Sequence, residues 1–177
     1  MKFRDSAEMP IIAIDFDDTI NIQGADTYPI CGIPRPWAKE VINFMHKLDI
    51  KIVIWTSRDV AYNQDEKKMY DHMSPMIKFL DKNEIHYDAI NKSIQFAPYH
   101  YNGRKVYAHM YVDDRGYGWC GDDEYINNNA IFLDVLRKFL TRVCGFLPRQ
   151  AQQVVMCCQQ GNEPEEWMIE GVKRWKN

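Results

Sequence analysis

The chain is short of several things at once, and each shortage closes off a class of protein. Its 177 residues hold five cysteines, Cys31, Cys120, Cys144, Cys157 and Cys158, with no Cys-x-x-Cys pair among them. An odd count without a secretion signal suits reduced thiols better than a disulfide framework. Neither they nor the five histidines show the ligand spacing of a zinc site. No apolar stretch approaches the roughly eighteen residues a membrane helix needs, and Met1 to Pro10 carry no apolar signal core. A surplus of one charge is missing too. Lys and Arg number 22 and Asp and Glu 25, for a net charge of −3, so no global basic field points to nucleic acid. There is no internal repeat and no low-complexity segment. The expectation is a soluble, cytoplasmic protein. With 46% hydrophobic and 13% aromatic residues it should be globular, folding as a single domain over 1–177.

Against that background one stretch stands out. Residues 11–19 read Ile-Ile-Ala-Ile-Asp-Phe-Asp-Asp-Thr. The apolar run suits a buried strand. Side chains alternate along a strand, so Asp15 and Asp17 share a side if the strand reaches them. A buried Asp costs several kcal/mol unless it is paired or binds a metal. Acids crowded at a strand end therefore call for a cation, and Mg²⁺ prefers such oxygen ligands. Two further runs end in the same way. Residues 51–58, Lys-Ile-Val-Ile-Trp-Thr-Ser-Arg, finish in two hydroxyls and an arginine. Residues 106–115, Val-Tyr-Ala-His-Met-Tyr-Val-Asp-Asp-Arg, finish in an acidic pair and an arginine. Ligands of open α/β sheets bind outside the carboxyl ends of the strands, so one site at which the three ends converge accounts for all three patterns.

Together these pieces resemble the haloacid dehalogenase-like (HAD) superfamily of phosphohydrolases over about residues 9–118. Its Asp-x-Asp-x-Thr motif is matched by Asp15, Asp17 and Thr19. Its strand-end Thr or Ser is matched by Thr56, and its acidic pair by Asp113 and Asp114. The family's lysine is best matched by Lys92, which follows the strand-like Tyr87–Asn91. Lys105 is the other candidate, nearer the acidic pair but ahead of its strand. The resemblance implies a three-layer Rossmann-like sandwich around a central parallel sheet. It implies Asp15 as the nucleophile that forms an aspartyl-phosphate, and Asp17 as the acid and base. Mg²⁺ would be held by Asp15, the Asp17 main-chain carbonyl and Asp113, with Asp114 acting through water or orienting the others. Thr56 and Lys92 would hold phosphoryl oxygens with the amides of Phe16 and Asp17, and Thr19 would order the loop. Ser57 and Arg58 sit beside Thr56. Arg58 is placed either on a second anionic part of the substrate or, like Arg115, in a pair with an aspartate.

The rest of the chain reads as alternating elements. Strands are expected at about 10–16, 51–56, 86–91 and 106–113, with helices on both faces of a parallel sheet. Residues 20–36 are rich in turn formers and read as a loop over the first strand's carboxyl end. Trp37 to Leu48 has helical spacing. A helical stretch with a Met-rich core face is expected from Arg58 to about Asn83, kinked or split at Pro75. His72 and His86 read as surface residues, and His109 as a hydrogen-bonded core histidine. The intervals 20–55 and 57–91 are too short for a large cap domain, so the resemblance is to the capless type with an open site. Beyond residue 118 two amphipathic helices are expected, near 131–143 and 167–175, packed on the same core or forming an oligomer interface. Aromatic residues Tyr28, Trp37, Trp55, Tyr117 and Trp119 offer stacking surfaces. The expected substrates are therefore phosphorylated small molecules, nucleotides, nucleic-acid ends or phosphoproteins. Two other readings remain open: a non-catalytic Mg²⁺- or phosphate-binding module, and a receiver-like domain phosphorylated on Asp.

Overall fold

A computed structural model describes residues 9–22, 28–94, 106–115 and 130–174. Four strands, β1 (Ile11–Ile14), β4 (Lys51–Ile54), β7 (Ala89–Ile90) and β8 (Met110–Val112), form one parallel sheet in the order β7-β4-β1-β8. Ile12 and Ile14 of β1 pair in register with Ile52 and Ile54 of β4, and with Met110 and Val112 of β8. The alternation of a strand sorts these residues by face. Ile12, Ile14, Ile52 and Ile54 join the main core, whereas Ile11, Ala13 and Val53 join a smaller cluster behind the sheet with Val106.

The helices follow from the same bookkeeping of faces. Helix α1 (Ala38–Lys47) links β1 to β4, and α2 (Met73–Lys82) links β4 to β7. Both crossovers step the same way along the sheet, so right-handed connections put both helices on one face. Val41, Ile42 and Met45 of α1, and Met76, Phe79 and Leu80 of α2, are all buried against it. Three C-terminal helices, Ile131–Arg142, Pro148–Gln159 and Glu166–Lys173, extend this same core through Phe132, Leu136, Phe139, Val154 and Met168. Helices on both faces were expected. Among the described residues every helix packs on one face, and Val106, Tyr107 and Ile94 pack on the other. The return from β7 to β8 reverses direction along the sheet. Much of that return, 95–105, lies outside the described residues, as does 116–129. The architecture is α/β, a parallel four-stranded sheet flanked by helices and compatible with a Rossmann-like fold. Among the described residues no helix is long and apolar enough to cross a membrane.

Several local expectations need correction. Residues 60–71 were expected to be helical but form a hairpin, β5 (Val60–Asn63) and β6 (Lys68–Asp71). The Asn63 side chain accepts the backbone N–H groups of Asp65 and Glu66, and Lys67 adopts φ 51°. An Asn that bonds its own turn in this way outcompetes a helix. Pro75 does not kink α2. It is the third helical residue, where its missing N–H removes no intrahelical bond. The helix starts there because the Asp71 carboxylate accepts the N–H groups of Met73 and Ser74. Within the expected loop 20–36, a short antiparallel pair forms between β2 (Asn21–Ile22) and β3 (Ile33–Pro34). Among the described residues the C-terminal region holds three helices where two were expected. The missed one opens on Pro148, suited to a first helical position. The adjacent Cys157 and Cys158 are packing residues of that helix, and the described cysteines are all unpaired.

Candidate active site

The site lies at the switch point of the sheet. β1 has its crossover partner β4 on one side and β8 on the other, so a crevice opens at the carboxyl ends of β1 and β8. Asp15 follows β1 directly, and its N–H donates to the Val112 carbonyl at 2.8 Å. That bond fixes the end of β1 beside the end of β8 and so brings Asp15 next to Asp113 and Asp114. Carboxylate oxygens of Asp15, Asp113 and Asp114 all lie within 4.8 Å of one another. Among the described residues no Lys or Arg pairs with Asp15 or Asp113, and Arg115 approaches Asp114 only at 4.0 Å while largely exposed.

This crowding acts on protonation. Burial, and then the charges of Asp113 and Asp114, push the Asp15 carboxyl up to about 7, against a bond donated by the Phe16 amide and another from Thr19. Asp114 is raised as well, by burial and by its contact with Asp113. A carboxyl raised in the folded state stabilises the fold below its unfolded value near 3.8 and gives up that contribution as pH climbs through the folded value. The chelated protein should therefore lose stability between about pH 4 and 7 in a manner that millimolar Mg²⁺ reduces. Thermal melts against pH, with and without Mg²⁺, test this. A melting temperature with no Mg²⁺ response at pH 8 would contradict it.

The loop after β1 is built to hold these groups. Thr19 Oγ1 donates to Asp15 Oδ2 at 3.2 Å and accepts the Asp114 N–H at 3.0 Å, so one buried hydroxyl ties both acidic motifs. Asp18 adopts φ 57° in the tight turn. The buried Arg35 donates from Nε to the Thr19 carbonyl at 2.9 Å and from Nη2 to the Asp18 carbonyl. Thr56, at the end of β4, is clamped by Asn91, which accepts the Thr56 N–H at 2.9 Å and donates to its carbonyl at 2.8 Å. The Thr56 hydroxyl accepts the Arg58 N–H at 3.1 Å. A hydroxyl carries one donor and two acceptor sites, so its hydrogen stays available to an oxygen in the cleft. Arg35 and Asn91 escaped the sequence reading. Asn91 left a faint trace, as an Asn at a strand exit able to take φ 49°.

Arg58 is placed differently from a phosphate ligand. Its side chain is fully buried and grips Asp17 with two bonds, Nε to Oδ2 at 2.8 Å and Nη2 to Oδ1 at 2.7 Å. Nη1 donates to the Pro29 carbonyl at 2.7 Å, and the guanidinium packs against the rings of Phe16 and Tyr28. Of the two roles open to it, substrate contact or pairing with an aspartate, it takes the second. The Asp17 carboxylate is accordingly turned toward Arg58 and is not part of the Asp15, Asp113, Asp114 cluster.

These groups line a cleft of about 300 Å³ bounded by Asp15, Asp17, Asp18, Trp55, Thr56, Ser57, Asp113, Asp114 and Arg115. Lys92 follows β7, is exposed and does not line it. Lys105, Tyr117 and Trp119 lie outside the described residues. His109 sits as expected for a hydrogen-bonded residue, with Nδ1 accepting the Ile11 N–H at 2.9 Å. His72 and His86 are half-buried rather than at the surface, and each keeps one buried ring nitrogen without a hydrogen-bond partner.

No family model matches this chain, and no curated protein matches it either. A solved structure of a conserved protein from Bacteroides thetaiotaomicron is similar at a TM-score of 0.49 and 23% identity, covering 64% of this chain and 83% of that one.

Proposed function

We propose that this chain is a Mg²⁺-dependent phosphomonoester hydrolase of the haloacid dehalogenase type, without a large cap, on a three-layer Rossmann-like core. The observation that carries the reading is the meeting of Asp15, Asp113 and Asp114 in one cleft with the clamped Thr56. The donor set is three carboxylates, which suits a hard divalent cation. Asp15, Asp113 and Asp114 would hold Mg²⁺, which would neutralise charge on the phosphoryl oxygens.

Asp15 attacks phosphorus and becomes an aspartyl-phosphate, and the leaving oxygen takes a proton from Asp17. Asp17 then accepts a proton from the water that releases phosphate and restores Asp15. Asp17 lines the cleft while bound to Arg58. Thr56 donates its hydroxyl to a phosphoryl oxygen, and Ser57 stands beside it at the cleft wall. A lysine is supplied by Lys92 only if its flexible stem swings inward from the exposed turn after β7. Trp55 on the cleft wall supports an aromatic substrate group, which favours nucleotides or phosphorylated nucleic-acid ends.

The test is phosphate release from p-nitrophenyl phosphate and a nucleotide panel, with Mg²⁺ and with chelator. Release should need Mg²⁺, and Asp113→Asn should raise the Mg²⁺ concentration required by about 10-fold or more. Mg²⁺ binding without turnover of any substrate would instead favour a binding module.

A further inference from the structure

The main chain of Thr56 is held by one side chain from the neighbouring strand. Asn91 leaves β7, and its N–H donates to the Ile54 carbonyl at 2.9 Å, the last main-chain bond from β7 to β4. In a parallel ladder the following bond would run from the Thr56 N–H to the Asn91 carbonyl. Here the Asn91 side chain takes it. Its Oδ1 accepts the Thr56 N–H at 2.9 Å, and its Nδ2 donates to the Thr56 carbonyl at 2.8 Å. Asn91 itself has turned to φ 49°, out of the extended conformation that a ladder requires. Both main-chain polar groups of Thr56 are thereby fixed just where the sheet ends. The contacts continue toward the acid. The buried Thr56 hydroxyl accepts the Arg58 N–H at 3.1 Å, and the Arg58 guanidinium grips Asp17.

We propose, on the phosphatase reading of the cleft, that Asn91 is a positioning residue for phosphoryl transfer, aligning the Thr56 hydroxyl directly and the Asp17 carboxylate through Arg58. Asn91 does not line the cleft and acts only through these neighbours. Its side chain is specific to the task. A carboxamide supplies both the acceptor and the donor that the clamp uses, and glycine or alanine supplies neither. Glycine takes a positive φ freely, whereas alanine is strained there. Glycine therefore removes the clamp alone. Asn91 is exposed, so its truncation opens no cavity in the core. It is also separate from the acidic cluster. The bonds that bring Asp15 to the acidic pair come from Thr19 and the Val112 carbonyl. A change at Asn91 should therefore reach the phosphoryl side of the site and leave the metal side as it is.

Phosphate release is measured for wild type, Asn91→Gly and Asn91→Gln over a range of Mg²⁺ concentrations, with turnover referred to folded protein. In both variants kcat and kcat/KM should fall together by roughly 10- to 100-fold, the range for groups that orient a reacting site from outside it. The Mg²⁺ concentration for half activity should stay as in wild type. The loss should be larger for poor leaving groups, because Asp17 is displaced along with Thr56. If Asn91→Gly folds poorly, Asn91→Gln carries the test, since it keeps an amide one methylene too far out. An active wild type matched by both variants overturns the proposal and leaves the phosphatase reading standing. So does a loss that excess Mg²⁺ makes good, which would trace it to the metal side. A wild type that releases no phosphate at any Mg²⁺ concentration overturns the phosphatase reading, and the role of Asn91 falls with it.

Discussion

Asp15→Asn should abolish phosphomonoester hydrolysis, by about 10⁴-fold or more in kcat, while making the cation-free protein more stable. The two effects share one cause. In the proposed mechanism Asp15, which β1 delivers to the acidic pair, attacks phosphorus, and an amide at that position is no nucleophile. The same placement crowds three carboxylates, and burial with its neighbours' charges raises Asp15 to about 7. Asparagine removes one charge from the crowd and can still accept the bond from Thr19. In chelator at pH 8, its melting temperature should exceed that of the wild type by a few degrees, and the gap should close toward pH 5. Millimolar Mg²⁺ should stabilise the wild type and have little effect on the variant. A variant that keeps its activity, or one less stable than wild type at pH 8 in chelator, would contradict this account of the site.

Arg58→Met should cost about 3 kcal/mol of stability, the lower end for removing one partner of a buried ion pair, or on the order of 10 °C in melting temperature for a chain of this size. The guanidinium is wholly buried, whereas Asp17 is 23% exposed, so water partly compensates the carboxylate that remains. The loss extends beyond charge. Arg58 also holds the Pro29 carbonyl and packs on Phe16 and Tyr28, so it pins the 28–30 segment to the base of the cleft. Lysine should not rescue it, because a point charge cannot reproduce the two-pronged contact with Asp17. If Arg58 sets the angle of Asp17, Arg58→Lys should lower kcat with little change in KM, most for substrates with poor leaving groups. Those depend most on a correctly aimed acid. Denaturant titration and leaving-group dependence measure the two parts separately. Wild-type stability in Arg58→Met would remove the ion pair from its assigned role.

The parts of this molecule legible from sequence are those in which a periodic apolar run ends in polar chemistry. Ile11–Ile14, Lys51–Ile54 and Met110–Val112 are strands close to where their runs lie, and Asp15, Thr56 and Asp113 share the rim that parallel strands require. Side-chain bonds that override local pattern were harder to see. Asn63 turning a helix-like stretch into a hairpin is one case. Arg35 reaching the carbonyls of Thr19 and Asp18 is another, because its partners lie 16 and 17 residues away. Arg58 stood between two roles because adjacency to Thr56 says nothing about which way a long side chain points, and burial against Asp17 decides it. That the described helices all pack on one face of the sheet was missed for a topological reason. Nothing in the periodicity reveals that β8 joins beside β1 and not beside β7.

In the proposed mechanism Asp15 carries the phosphoryl group during turnover. Acid-quenching the enzyme while it hydrolyses p-nitrophenyl phosphate in Mg²⁺, then mapping phosphoryl groups by peptide mass, tests it most directly. One hydroxylamine-labile phosphoryl is expected on the peptide containing Asp15, accumulating in Asp17→Asn and absent in chelator. Turnover with no phosphoryl on Asp15, or with the label on Asp113 or Asp114 instead, would contradict it.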